Sequence, residues 1–293
     1  MKEFKGIILV LLGAICFSIK AIIIKLAYSV SIDPVTLLTL RMGFALPFFL
    51  MIPIFYKRKG TEQRVSTRDY GKIALLGVLG YYVASIFDFW GLQYITAGLE
   101  RLILFVYPTI VVLLSAAIFK KPITKNIIFA LVLSYLGILI IFSDSEISSQ
   151  KNILLGATFI FVSAFTYAAY LVGSGSLIPK LGSIQFNAYS MIVSCVVVLI
   201  HFAIAQPTNL LTLPKIFYGY GFAIAIISTV IPTFLVAEGI NLIGAGKASI
   251  VASVGPVITI FLGYWFLNEP FTLYELIGTL FVLGGVLWIS YSK

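Results

Sequence analysis

Histidine is nearly absent from this chain, with His201 the only one among 293 residues. A metal centre that needs two or three imidazoles is therefore excluded. Cysteine is scarce as well. Cys16 and Cys195 both fall in apolar stretches, where they behave as small hydrophobes and not as a disulfide framework or a metal cage. Charge is the third shortage, at 11% of residues against 60% hydrophobic, with a mean hydropathy of +1.09. A water-soluble globule of this size needs more polar surface than that, so the chain reads as an integral membrane protein. Room for a soluble domain is also missing, since the longest stretch without a strong apolar run, 57–69, spans 13 residues. No G-x-x-x-x-G-K-[ST] loop occurs, which argues against direct ATP coupling. No nucleophile, acid–base pair or metal cluster has a recognisable spacing, so neither an enzyme nor a bound cofactor or metal is expected. The formal charge of +9 does not point to nucleic acid, because the basic residues are spread over loops and never gathered in one run.

The chain does contain apolar runs of membrane-spanning length. They fall at about 6–28, 34–56, 70–92, 97–119, 126–142, 153–172, 184–205, 216–239, 247–267 and 272–291, each near the ~20 residues that cross a ~30 Å hydrocarbon core. The first run follows a basic N-terminus like that of a signal peptide, but it continues to Tyr28 without a small-x-small cleavage site and is expected to be retained. The expected fold class is thus an all-α membrane protein of ten transmembrane helices, with tight turns at 93–96 and 241–246.

Residues 91–142 and 239–290 are one segment written twice. Pro108 matches Pro256, Pro122 matches Pro270 and Gly137 matches Gly285, each pair 148 residues apart. The loop "FKKPIT" is basic in the first copy, and its counterpart "LNEPFT" is acidic. Five helices per half is an odd number, so the second half enters the bilayer from the opposite side. Two inverted five-helix repeats are expected, 1–146 and 147–293, a plan used by secondary transporters. With the N-terminus cytoplasmic, the inner loops and helix ends hold 14 of the 20 Lys and Arg residues, among them Lys57, Arg58, Lys59, Arg64, Lys121 and Lys293. The outer loops hold only Lys151 and Lys215, beside Asp33, Asp144, Glu146 and Glu269. The positive-inside rule then places both termini in the cytoplasm and the protein in the plasma, or inner, membrane.

The second copy, from Glu238 to Trp288, resembles the C-terminal repeat of EamA-type transporters in the drug/metabolite transporter superfamily. The likeness lies in the small-residue turn Gly244–Gly246, the helix with Pro256, the Glu269–Pro270 step and a last helix with Gly278, Gly284 and Gly285. The resemblance implies transport of a small polar metabolite such as an amino acid, more naturally as export, and it extends over both halves.

The charged residues inside the first-half helices are the candidates for that work: Lys20, Arg41, Asp88, Glu100 and Arg101, with Lys25 nearer the outer end. A cation at the bilayer centre costs about 2.5–3.5 kcal/mol, so such residues face a bundle interior or a watery cavity. One reading is a polar site opening outward. In it Lys20, Arg41 and Arg101 attract a carboxylate or phosphate, while Asp88 or Glu100 holds an ammonium or a proton. The other is internal pairing, for example Arg41 with Asp88, with Lys25 reaching the outer headgroups. The second-half equivalents of Glu100 and Arg101 are Ala248 and Ser249, so no symmetric cage is expected. Tyr82 and Tyr107 are further substrate-binding candidates, and Tyr81, Tyr167 and Trp265 could also line a path. Pro108 and Pro256 are hinge or cavity candidates, because a mid-helix proline removes one backbone hydrogen bond. Glu238 and Lys247 are gate candidates at the inner turn. Glu269 reads as a topology or helix-capping residue, and the series Ala245, Ser249, Ser253 as close helix packing. The expected partners are a small-molecule substrate, the lipid bilayer, and protons or a counter-transported solute. The competing reading is a lipid-handling or non-transporting membrane subunit.

Overall fold

The computed structural model describes residues 2–55, 65–120, 122–144, 151–205 and 208–291, without the side chains of 245, 246, 249 and 289–291. Lys57, Arg58, Lys59, Arg64, Lys121, Glu146 and Lys293 lie outside the described residues, as do the side chains of Ala245 and Ser249.

A segment in hydrocarbon has no water to satisfy its backbone, so helices that close their own hydrogen bonds are the natural answer to this composition. All regular structure among the described residues is helical. The spans are α1 (Lys2–Ser29), α2 (Pro34–Phe55), α3 (Thr67–Gly91), α4 (Ala97–Phe119), α5 (Lys125–Phe142), α6 (Ile153–Ser174), α7 (Ser183–Ala205), α8 (Lys215–Gly244), α9 (Ile250–Leu267) and α10 (Leu273–Tyr291). Among the described residues, α1 to α9 are long and apolar enough to cross a membrane, and α10 adds a shorter apolar stretch, Leu273–Trp288. Phe55, Leu154 and Ile204 are exposed on the outside of the bundle, which suits contact with lipid tails. Three starts are set by short polar side chains: Ser66 and Asp69 form a reciprocal capping box on α3, while Thr96 and Thr124 cap α4 and α5.

The duplication is visible in the backbone. α4 breaks at Phe105–Val106 and resumes at Tyr107. α9 breaks at 253–254 and resumes at Gly255. Pro108 and Pro256 are therefore not prolines within a continuous helix; each occupies the first turn of a new segment, where a missing N–H leaves no partner unsatisfied. The resumed helices end alike, in Lys120 and Asn268 with left-handed φ of 54° and 53°. Each is followed two residues later by a proline. A further matched feature is a π-helical turn at Val78–Val83 in α3 and at Ile226–Val230 in α8. In the second half the small-residue turn falls at Gly244, whose φ of 80° bends the chain out of α8.

The two inverted repeats interleave. α1 packs on α8, α6 on α3, α2 on α7 and α5 on α10, so each pair takes one helix from each half. At the α5–α10 seam the matched glycines are required for close approach: a Cβ on Gly137 would lie 2.6 Å from the Gly278 carbonyl oxygen, and one on Gly285 would lie 2.1 Å from the Ser134 hydroxyl.

Candidate functional site

Inside the bundle lies a cavity of about 490 Å³, bounded by residues of both halves. Its walls run from Lys20, Asp88 and Arg101 at mid-depth to Ser174, Ile178 and Ser183 at the facing ends of α6 and α7. These last residues lie at the end of the bundle that also carries the N-terminus and the Gly244 turn, since Lys247 pairs there with Glu3. The cavity thus extends toward the end that carries the N-terminus, whereas the sequence reading has a site that opens outward.

At the far end the two halves are tied together. The Glu269 carboxylate, in the loop after α9, accepts from the backbone N–H groups of Ala97 at 2.8 and 3.0 Å and of Gly98 at 3.5 Å. It caps the first turn of a helix in the other half, where the positive end of the helix dipole favours an anion. Lys25 Nζ donates to the Ile95 carbonyl at 2.8 Å and lies 3.9 Å from Glu269. Lys25 is therefore part of this junction and does not reach outward to headgroups. Glu275, unremarked in the sequence, is buried against the same turn; a Cβ on Gly98 would come within 2.2 Å of its Oε1.

At mid-depth α1, α3 and α4 bring three charges together. Lys20 Nζ donates to Asp88 Oδ2 at 2.6 Å and to Glu100 Oε1 at 3.3 Å. Lys20 keeps 13% side-chain exposure to the cavity, while Glu100 has none. The second oxygen of each carboxylate, Asp88 Oδ1 and Glu100 Oε2, is buried without a hydrogen-bond partner. One ammonium between two carboxylates leaves a net negative charge, and a single proton on the acidic pair makes the group neutral.

Arg41 is buried at the other wall, and the expected pairing with Asp88 is replaced. Its Nε donates to Thr229 Oγ1 at 2.9 Å and its Nη1 to Ser85 Oγ at 3.2 Å, with the guanidinium over the Phe89 ring at 5.7 Å. Thr229 stands in the π-helical turn of α8, and Ser85 lies just past that of α3. The extra residue of each turn sets a polar side chain beside the cation, which fits the frequency of π-turns at functional sites. Arg101 lines the cavity next to the break in α9, and its Nη2 lies 3.0 Å from where a Cβ on Gly255 would stand.

The aromatic candidates separate cleanly. Tyr81, Tyr107 and Tyr167 line the cavity with Tyr170. Ring centroids are 5.2 Å apart for Tyr107–Tyr167 and 5.1 Å for Tyr81–Tyr170. Tyr81 also donates to Asn187 Oδ1. Tyr82 turns away, its hydroxyl 3.2 Å from His201 Nδ1, and Trp265 is 66% exposed on the outside. Neither belongs to the cavity wall, since residues one or two positions apart on a helix face different ways. Glu238 is exposed and Lys247 pairs with Glu3 across the α1–α8 ends, so the two gate candidates do not form a pair with each other. Among the described residues no group of three or more His, Cys, Asp or Glu is placed to hold a metal ion.

Tyr170, Asn187, Ser228, Thr229 and Gly255 escaped the sequence reading. The signal available for Ser228 and Thr229 was their position 148 residues after Gly80 and Tyr81, but the first-half partners differ in type and the match is not visible as identity.

Comparison with known proteins agrees with this architecture. The model of the EamA-like transporter family matches residues 4–143 and 154–291, one match per half. A Bacillus subtilis protein named uncharacterized transporter YcbK is 32% identical over 288 residues, covering 97% of this chain and 91% of that protein. An uncharacterized transporter of Archaeoglobus fulgidus is 26% identical, covering 88% of this chain and 90% of its own. A solved crystal structure of 13% identity superposes with a TM-score of 0.66 over 97% of this chain and 96% of that one, a likeness of fold.

Proposed function

The chain belongs to the EamA-like transporter family, and from that premise we propose that it is a secondary transporter moving a small polar metabolite across the plasma membrane by alternating access. Both termini lie in the cytoplasm on this reading, the substrate is an amino acid or related compound, and the direction is export. The observation that carries it is the cavity between two inverted repeats, with the halves tied together at the far end, a polar floor at Lys20, and matched helix breaks beside it at Phe105–Val106 and 253–254. A break leaves the two parts of α4 and α9 able to swing separately, so that one end can close while the other opens. Lys20, Asp88 and Glu100 give a proton a place to reside in that cycle: with the pair protonated the group is neutral, and with the proton released Lys20 holds two carboxylates. No step requires a cofactor or catalytic chemistry from the chain.

Purified protein in liposomes should move a solute saturably. Cysteines placed at the two ends of the cavity should react in turn, each protected when the other is reached. Unsaturable flux, with both ends reactive at once, would sink the reading. The same assay separates the lipid-handling alternative: the cavity wall is largely apolar, with its charge confined to Lys20, Arg41, Asp88 and Arg101, and saturable flux of a water-soluble solute is what favours transport over lipid binding.

A further inference from the structure

The three cations around the cavity are not equivalent. Lys20 has Asp88 and Glu100 within 3.3 Å. Arg41 has two hydroxyl acceptors and an aromatic face. Among the described residues Arg101 has neither a hydrogen bond nor an ion pair through its side chain, and its Nε is buried without a partner. Arg101 is half-buried, its buried Nε donor is left empty at a cost, and the guanidinium is planar and fork-shaped, the geometry that matches a carboxylate or phosphate. The neighbouring acid Glu100 on α4 makes its direct contact with Lys20 and none with the Arg101 guanidinium. Room beside it is kept by Gly255, where any side chain would press on Nη2 at 3.0 Å. Formal charges give the same answer: Lys20, Arg41 and Arg101 outnumber Asp88 and Glu100 by one, and by two when the acidic pair holds a proton.

We propose that Arg101 is the anchor for an anionic group, a carboxylate or phosphate, of the solute that enters this cavity, bound by both arms of the guanidinium fork. The inference rests on the transporter reading for its solute and deepens it, selecting anions and zwitterions over simple amines. Tyr107 and Tyr167, packed edge to face beside Arg101, flank the bound group with apolar ring surface, so water is excluded from the ion pair and the attraction is strengthened. Recognition by a fork also explains why an arginine stands here, since a lysine would present a single point charge.

The test is thermal stabilisation of purified full-length protein by three probes: 3-phenylpropionate, inorganic phosphate and phenethylamine. The expected result is a rise in melting temperature with 3-phenylpropionate or phosphate and none with the amine. Arg101→Gln should abolish the rise, and Arg101→Lys should weaken apparent affinity at least about tenfold through loss of the second hydrogen bond. Arg101→Lys also serves if the glutamine variant fails to fold. Stabilisation by the amine alone, by none of the three, or unchanged in Arg101→Lys overturns the assignment. The two readings fail separately: anion binding without saturable flux in liposomes removes the transporter reading, whereas saturable flux of an amine without anion binding removes only this one.

Discussion

The loop after α9 and the loop after α4 occupy equivalent places in the two repeats and do opposite things with charge. The first carries Glu269, whose carboxylate holds the first turn of α4 in the other half and has Lys25 close by. The second carries Lys121 at the matching position, outside the described residues. A carboxylate is attracted to the N–H groups of a helix start and an ammonium is repelled by them. Both loops follow a left-handed residue, Lys120 or Asn268, and precede a proline. On the proposed alternating-access reading, unlike charge at matching places gives the molecule two ends that move in turn, with an anionic latch at the Glu269 end. The cavity accordingly reaches the end without the latch.

If this division is right, damage to charges should be one-sided, and damage to shared backbone features should be equal in the two halves. The largest effect is expected at the ionic floor. Lys20→Met leaves Asp88 and Glu100 buried together without a counter-charge, and removal of one partner of a buried ionic group costs about 3–5 kcal/mol. Thermal unfolding should show the loss, and adding Asp88→Asn with Glu100→Gln should restore most of it while flux stays absent. Equal stability of Lys20→Met and the parent would mean that the charges are not in contact.

The backbone half of the comparison comes next. Gly137→Leu and Gly285→Leu each force a side chain into the α5–α10 seam, at positions where even a Cβ is too close to Gly278 or Ser134. Overpacking of this kind costs about 1–3 kcal/mol. The two variants should lose similar stability in the same unfolding assay. A large difference between them would break the claim that the halves share this seam as equals.

Much of the fold was legible because a bilayer permits few solutions. Ten apolar runs correspond to ten helices, and the 148-residue offset alone matches Pro108 with Pro256 and Gly137 with Gly285. The π-turns of α3 and α8 were not legible, since no residue type marks an extra residue in a helix whose neighbours supply the reason for it. The candidate site was legible as a set of charges and not as a set of partners. Lys20, Arg41, Asp88, Glu100 and Arg101 do converge, but Arg41 faces hydroxyls, Lys20 takes both acids and Lys25 is drawn to Glu269. Partner choice depends on how far each helix is rotated, and mostly apolar sequence fixes rotation weakly. Tyr82 stands off the cavity wall for the same reason: it sits one residue from Tyr81 and points to His201.

Glu269→Gln tests the latch itself. The neutral amide still offers one oxygen to Ala97 N but loses the charge that both the helix start and Lys25 favour, a change worth about 0.5–2 kcal/mol. In a background lacking Cys16 and Cys195, a thiol at position 85 introduced by Ser85→Cys should react faster with an impermeant reagent supplied from the far side. Substitution of Lys121 by Gln should leave that rate unchanged. Equal acceleration by both would show that the two loops are interchangeable and that the latch has no direction.

The smallest effect and the sharpest discrimination come from Lys121→Glu. This variant gives the terminus-bearing end the carboxylate that the far end already has, placed after a left-handed residue and before a proline as Glu269 is. The matching target is the helix start just beyond the Gly244 turn, whose N–H groups correspond in sequence to those of Ala97 and Gly98. An anion near a helix N-terminus contributes about 0.3–1 kcal/mol, enough to shift a balanced two-state population severalfold and too little to alter unfolding measurably. The Ser85→Cys thiol should then become slower to label from the terminus side and faster from the far side, with the melting temperature unchanged. Combining Lys121→Glu with Glu269→Gln should push the shift further in the same direction, because the first adds a latch where the second removes one. If labelling from the two sides changes together instead of reciprocally, the ends are not alternatives of one equilibrium, and the charge difference between the loops serves only to orient the chain in the membrane.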